Sequence, residues 1–241
     1  METRISDEVS ELLKTLSTTN GETFDPRDKF TEAAQSIISR IVFGLPIDIE
    51  DKAENRLMEL VLKWGTQFMN LLPLDFSSSL RFLPYFRKCI SQTQILTDEM
   101  FSLIDKKIDR CIRSGIDESF VSYFVEAQGK DFDRAQLKVT IRDLMLAGTE
   151  TTSSTMMYAC VLLANHPAVQ ERLQKEIDSV VSKDRQPSMD DMSKMTYVEA
   201  TILELMRLKT VLPLGVPRAT LCDTEVCGYF IPKNSHVSNQ A

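Results

Sequence analysis

Apolar residues recur three and four apart along most of this chain, the spacing that lines up one face of an α-helix. A first stripe of Val9, Leu12, Leu13 and Leu16 follows Ser6, whose side chain predicts an N-cap. Asp25-Pro26 predicts a cap with proline in the first turn of a second helix. Phe30, Ala33, Ala34, Ile37, Ile38, Ile41 and Val42 draw its inner face, and Gly44 and Pro46 close it. A third helix is expected from Asp51 to about Leu72, with Leu57, Leu60, Val61, Trp64 and Phe68 inward. Between Pro73 and Pro84 the Ser- and Phe-rich run reads as an irregular connection. Helical period returns from Ile90 to Arg113, before Gly115, and again from Ser119 to Gln128.

Asp133 with Gln136 three residues on predicts a capping box opening the longest helix, out to Asn165. Pro167 starts the next helix, to about Ser182. Thr196 with Glu199 predicts a second capping box, on a helix carrying Glu204 and Arg207. After Pro213 and Pro217 the pattern shortens, and Thr224 to Val237 reads as a hairpin turning at Cys227-Gly228-Tyr229. The expectation is a mainly α fold, a central helical body with a small β hairpin near the C-terminus, and a single domain over residues 1–241.

Composition narrows the function classes. The chain is 43% hydrophobic and 26% charged, which argues against wholesale disorder. A net charge of −7 argues against nucleic acid as a main partner, and the clusters Arg81, Arg87, Lys88 and Lys106, Lys107, Arg110, Arg113 read as solvated helix faces. Five scattered cysteines, Cys89, Cys111, Cys160, Cys222 and Cys227, fit a reducing compartment. With His166 and His236 they form no zinc-like spacing, so no metal ligand is assigned. Met1-Glu2-Thr3-Arg4-Ile5 does not read as a signal peptide, and the uncharged window from Thr151 to Gln170 is too rich in Thr and Ser for a membrane span.

Chemistry concentrates in Ala147-Gly148-Thr149-Glu150-Thr151-Thr152. A helix interior normally avoids glycine, at about 1 kcal/mol relative to alanine, and avoids runs of threonine, whose hydroxyls compete for backbone carbonyls. Such a stretch can open the helix to a water or ligand and let a flat group approach the backbone. It can equally serve a close helix crossing. With Asn165-His166-Pro167 beyond it, and with Tyr197-Val198-Glu199-Ala200, Glu204-Leu205-Met206-Arg207 and Pro213 to Thr220 farther on, the hexamer resembles the cytochrome P-450 family, the haem-thiolate monooxygenases. Arg40 to Gly44, Asp48 and Glu50-Asp51 resemble a mid-chain region of its animal microsomal members.

The resemblance implies haem b as the family's cofactor, a flavoprotein reductase and an apolar small-molecule substrate as partners, and oxygenation at the endoplasmic reticulum membrane. Ala147 and Gly148 would lie over the haem face, Thr151 would hydrogen-bond the dioxygen being activated or its water, and Glu150 would serve proton delivery. Glu204 and Arg207 would form a structural pair, and Arg218 would reach a haem propionate. Substrate contacts would come from residues 64–86, 141–146 and 211–216. Similarity covers about the middle half of a family member, without the N-terminal anchor or the Phe- and Gly-rich loop that presents the haem-ligating cysteine. None of the five cysteines has that loop's setting. The expectation is that the chain by itself is catalytically incompetent, with haem assigned to the parent family and not to this chain. The alternative is a non-catalytic helical interaction module or the product of an aberrant transcript, to which the drift from Ser235 to Ala241 points.

Overall fold

Ile5 carries the first apolar stripe back one turn, and helix α1 accordingly spans Glu2–Ser17, with Met1 and not Ser6 at its N-cap. Ser6 lies inside the helix, its carbonyl accepting from Ser10 Oγ at 2.9 Å. The computed structural model describes residues 1–45, 51–116, 118–129, 132–182, 184–213, 215–216 and 218–237. Pro46, Asp48, Glu50, Leu214, Pro217 and the drift after Val237 lie outside the described residues. Two compact units divide the chain, Met1–Ser153 and Ser154–Ala241.

In the first unit, α2 (Arg27–Phe43) has Pro26 as N-cap, while Asp25 accepts from the Arg27 N–H at 3.0 Å. It stops at Gly44, whose φ of 76° is the left-handed conformation that a side chain would oppose. Helix α3 (Lys52–Met69) is capped by Asp51, which accepts from the Ala53 N–H at 2.8 Å. Phe68, expected inward, is 40% exposed because it stacks on the outer side of Trp64, with ring centroids 5.0 Å apart. The run expected to be irregular holds α4 (Pro73–Phe76) and a 3-10 turn, Ser78–Phe82. Pro84, in the first turn of α5 (Pro84–Ser114), starts that helix six residues before the expected Ile90, since proline presets the helical φ and lacks only an N–H that would be unpaired there. Helix α6 (Phe120–Gln128) opens with a reciprocal capping box between Ser119 and Ser122. For α7 (Arg134–Asn165), half of the expected box forms. Asp133 accepts from the Gln136 N–H at 2.9 Å, but the Gln136 amide turns to Thr140 Oγ1 at 3.3 Å.

The core of this unit is three lines of residues at helical spacing. Leu57, Leu60 and Val61 on α3, Met100, Ile104 and Ile108 on α5, and Leu137, Ile141 and Met145 on α7 are all fully buried. Val42 and Phe43 of α2 and Val121 of α6 close the cluster. Each such side chain contributes about 1.5–3 kcal/mol by leaving water.

An ion pair lies inside this apolar setting. Lys107 Nζ is 3.1 Å from Glu54 Oε1 and 3.3 Å from Ser39 Oγ, and sits over the Phe43 ring at 4.6 Å. Both side chains of the ion pair are at most one-tenth exposed. Burial holds the Lys107 ammonium below its ordinary pKa of 10.5, with Glu54 opposing that fall.

In the second unit, α8 (Pro167–Val180) leads to a 3-10 turn, Met189–Lys194, and to α9 (Thr196–Leu208). The expected Thr196–Glu199 capping box does not form. Met195 is the N-cap, and the Glu176 carboxylate of α8 accepts from the Tyr197 and Val198 N–H groups at 3.0 and 2.8 Å. A carboxylate there meets the positive end of the helix dipole as well as two orphan donors. A box absent from the sequence reading closes the preceding turn: Asp191 accepts from the Ser188 N–H at 2.9 Å and from both terminal nitrogens of Arg185. Strands β2 (Thr224–Val226) and β3 (Tyr229–Ile231) pair antiparallel around Cys227 and Gly228, both at positive φ, the two-residue turn expected there. The hairpin ends at Ile231, and β4 (His236–Val237) instead pairs with β1 (Arg218–Ala219).

Glu54→Leu alone should lower unfolding free energy by about 3–5 kcal/mol, because it strands a buried ammonium. The Glu54→Leu/Lys107→Met double variant should recover most of it in urea titrations. Since the folded pKa of Lys107 lies below the unfolded 10.5, the unfolded state binds more protons between the two values. Stability from this group should rise with pH across that window, and Lys107→Met should abolish the rise.

Candidate functional site

The hydroxyl run does not break α7. Thr149 donates to the Met145 carbonyl at 2.7 Å, Thr151 to Ala147 at 2.7 Å and Ser153 to Thr149 at 2.9 Å. Each hydroxyl reaches one turn back along its own helix, so Thr149 and Ser153 can be buried without an unsatisfied donor. The helix is continuous from Arg134 to Asn165.

This inward turn of Thr149 and Ser153 fixes what faces out. Ala147, Glu150 and Thr151 lie at i, i+3 and i+4 and share one side of the helix. Ala147 and Glu150 are exposed and Thr151 is half-buried. The result is a shallow strip with a methyl group, a carboxylate and a hydroxyl, and no bulky side chain among the three. Gly148 is turned differently. A Cβ placed on it would stand 2.9 Å from Ile38 Cδ1 and 3.1 Å from Ile38 Cγ1, so this glycine serves a close crossing with α2.

The three remaining residues belong to the second unit. Arg207 grips Glu204 with two bonds of 2.7 Å, Nε to Oε2 and Nη2 to Oε1. Both side chains are more than half exposed, so the desolvation penalty is small. The arginine hydrogen bonds hold the Glu204 carboxyl below its ordinary pKa. Arg218 is exposed on β1, its backbone in register with Val237.

Whether the chain fits a haem depends on which side of the iron is considered. The Ala147 strip suits the approach of a flat ring. Iron ligation needs an accessible thiolate, which Cys89 and Cys111 do not offer. Cys89 and Cys111 are buried, and Cys111 Sγ is 3.5 Å from the Phe43 carbonyl oxygen, to which it donates, and 3.3 Å from Ser119 Oγ. Burial pushes the Cys160 thiol up, away from thiolate. Cys222 and Cys227 are exposed on and beside the hairpin. Among the described residues no group of three or more His, Cys, Asp or Glu could hold a metal ion.

The residues expected to face substrate divide, with Phe82, Tyr85, Leu212 and Val216 exposed and others engaged elsewhere. Ile141 and Met145 are core. Trp64 donates to Thr97 Oγ1 at 2.9 Å and is covered by the Arg142 guanidinium, 4.3 Å from its ring. Sequence reasoning missed Arg142 in this role, and only its one-turn distance from Lys138 on the same helix hinted at a cationic edge beside the aromatics. No described helix is long and apolar enough to cross a membrane.

The family model for cytochrome P450 matches residues 1–240. Cytochrome P450 2A9 of Mesocricetus auratus is 33% identical over 247 residues, covering 98% of this chain and 50% of that protein. Cytochrome P450 2H1 of Gallus gallus is 34% identical over 245 residues, and cytochrome P450 2B4 of Oryctolagus cuniculus 33% over 248, each with the same coverage. The chain thus spans about half the length of the curated relatives it matches.

A double-mutant cycle on Glu204→Ala and Arg207→Ala should return a coupling below about 1 kcal/mol that shrinks in salt, as for exposed ion pairs generally. A salt-insensitive coupling of several kcal/mol would mean that the pair is desolvated in solution.

Proposed function

The chain belongs to the cytochrome P450 family, and on that premise we propose that it carries the oxygen-side helix of a haem-dependent monooxygenase acting on apolar organic substrates. Its two compact units are, in this reading, parts of one domain of that fold. The observation that carries the proposal is the strip on α7: Ala147, Glu150 and Thr151 share a face open to a large flat partner, while Thr149 and Ser153 are turned inward. A reductase partner and an endoplasmic reticulum location follow from membership in the same way.

Haem, when bound, supplies dioxygen activation; the rest is the work of this chain's side chains. Thr151 Oγ1 donates to the Ala147 carbonyl at 2.7 Å. By turning about its Cβ–Oγ1 bond, such a hydroxyl can donate to a water on the strip instead. Glu150, exposed one residue away, can return the proton from bulk water. Gly148 contributes by packing, and Arg218 is the candidate for an anionic edge of the cofactor. In this reading residues 1–241 by themselves are catalytically incompetent.

Two measurements test this. Haem titration of the purified chain, followed by a ferrous–carbon monoxide difference spectrum, should give no thiolate-type Soret band. Such a band, lost on replacing one cysteine by serine, would overturn the incompetence. With residues 134–165 grafted into a haem-thiolate relative, Thr151→Ala should cut product formation by about 10²-fold, the scale of general acid–base assistance, with less loss of dioxygen consumption. Unchanged product yield would remove Thr151 from the reaction.

A further inference from the structure

Helix α7 is held by two contacts of one kind on either side of the strip. At Gly148, the slot left by the missing side chain is filled by Ile38 of α2, with Cδ1 at 2.9 Å and Cγ1 at 3.1 Å from where a Cβ would stand. At Gly65 of α3 the roles reverse: Leu146 of α7 enters the slot, its Cδ1 2.6 Å from the corresponding point. Real Cβ contacts are not this close, so neither glycine could be alanine without its neighbour moving. Both glycines lie inside helices, where each costs about 1 kcal/mol relative to alanine in intrinsic propensity. Two such positions, each filled by a residue of a neighbouring helix, offset that cost by close packing.

Position along α7 gives these contacts their meaning. Leu146 and Gly148 bracket Ala147, and residues two apart on a helix point roughly 200° apart. α3 holds the helix through Leu146 and α2 through Gly148, from different directions, so α7 has little freedom to roll. We propose that Ile38 and Gly65 are positioning residues that lock the rotation of α7, keeping Ala147, Glu150 and Thr151 outward and Thr149 and Ser153 inward. The meaning of that lock for oxygenation rests on the function proposed above; the lock itself does not. Ile38 is the stiffer half. It branches at Cβ, and its Cγ1 also stands within 3.1 Å, so rotating the terminal methyl alone would not clear an added Cβ. Leu146 can yield at its far end, so Gly65→Ala should have the smaller effect.

Thiol accessibility tests this with no haem and no turnover. Introduced singly into the full chain, Ala147→Cys reports the outward face and Ser153→Cys, a near-isosteric change at a buried position, the inward one. The native Cys89 and Cys111, both buried on α5 of the same unit, report general loosening. Site-resolved maleimide labelling should find the thiol introduced by Ala147→Cys fast and the thiol introduced by Ser153→Cys as slow as Cys111. Adding Gly148→Ala to the Ser153→Cys chain should speed labelling of the introduced thiol by at least about tenfold, the scale of an overpacked contact, with Cys89 and Cys111 unchanged. Ile38→Ala, which deletes both the 2.9 Å and the 3.1 Å carbon, should restore the slow rate in the same chain. Gly65→Ala should act on that inward thiol in the same direction. If the inward thiol does not respond to Gly148→Ala, or speeds up only in step with Cys111, the lock is wrong. Should Ser153→Cys fail to fold, Thr149→Cys reads the same face under the same criteria. A failed lock would leave the carbon monoxide spectrum and the graft experiment unaffected, so the two proposals fall separately.

Discussion

A helix with six hydroxyl residues in the seven positions from Thr149 to Thr155 can be buried on one side only if its hydroxyls find partners at hand. In α7 the partners are the helix's own carbonyls one turn back, and the rest of the first unit follows from that. Because Thr149 and Ser153 need nothing from α2, α3 or α5, Ile38 of α2 and the Gly65 slot of α3 meet this part of α7 by packing, while nearer its N-terminus Arg134 and Lys138 pair with Asp105 of α5. Leu137, Ile141 and Met145 continue the same inward line toward the N-terminus of the helix. The polar motif and the core thus sit on one continuous helix without a polar gap between them. What remains facing outward is the part of the motif that can do chemistry.

The buried Lys107–Glu54 pair obeys the opposite logic. Burial works against the ammonium, and the pair exists because Glu54 and Ser39 meet it from two other helices. Its stabilising worth is small or negative compared with apolar residues of equal volume. What it does is geometric. A single ammonium that must find Glu54 of α3, Ser39 of α2 and the Phe43 face admits few alternative registers of α2 and α3 on α5. Those are the two helices that supply Ile38 and Gly65, so an error of one turn there would carry through to α7.

Helix existence is legible in the sequence because the apolar period is strong, whereas an expected cap fails where another residue, near or far in sequence, takes its place. Asp51, Ser119 and Gly44 act locally, and each sits where its type predicts. The expected α9 cap gives way because Glu176, twenty-one residues away, reaches the helix before Glu199 is needed. Ser6 loses its cap because Ile5 extends the stripe behind it. Pro84 has the local look of a loop's end and is the start of a helix. The site divides in the same way. The motif residues are readable from local type and order, whereas Ile38 against Gly148, Gly65 against Leu146 and Arg142 over Trp64 are pairings between helices that no local pattern encodes.

The Glu204–Arg207 pair shows why a motif can be diagnostic without being stabilising. Bidentate geometry is the strongest arrangement the two side chains can adopt. Yet in water each group exchanges good hydration for its partner, and the net gain is small. The same two bonds in a dry setting would be far stronger, and would demand that every other donor of the guanidinium be satisfied as well. Around them, Ile202, Leu203 and Met206 are about half exposed or more, so α9 presents apolar surface beside a solvated ion pair. Covering that surface would contribute about 1.5–3 kcal/mol per large side chain and would desolvate the pair at the same time. The pair is therefore poised between two regimes, and its worth to this protein is set by what packs against α9 rather than by the two residues themselves.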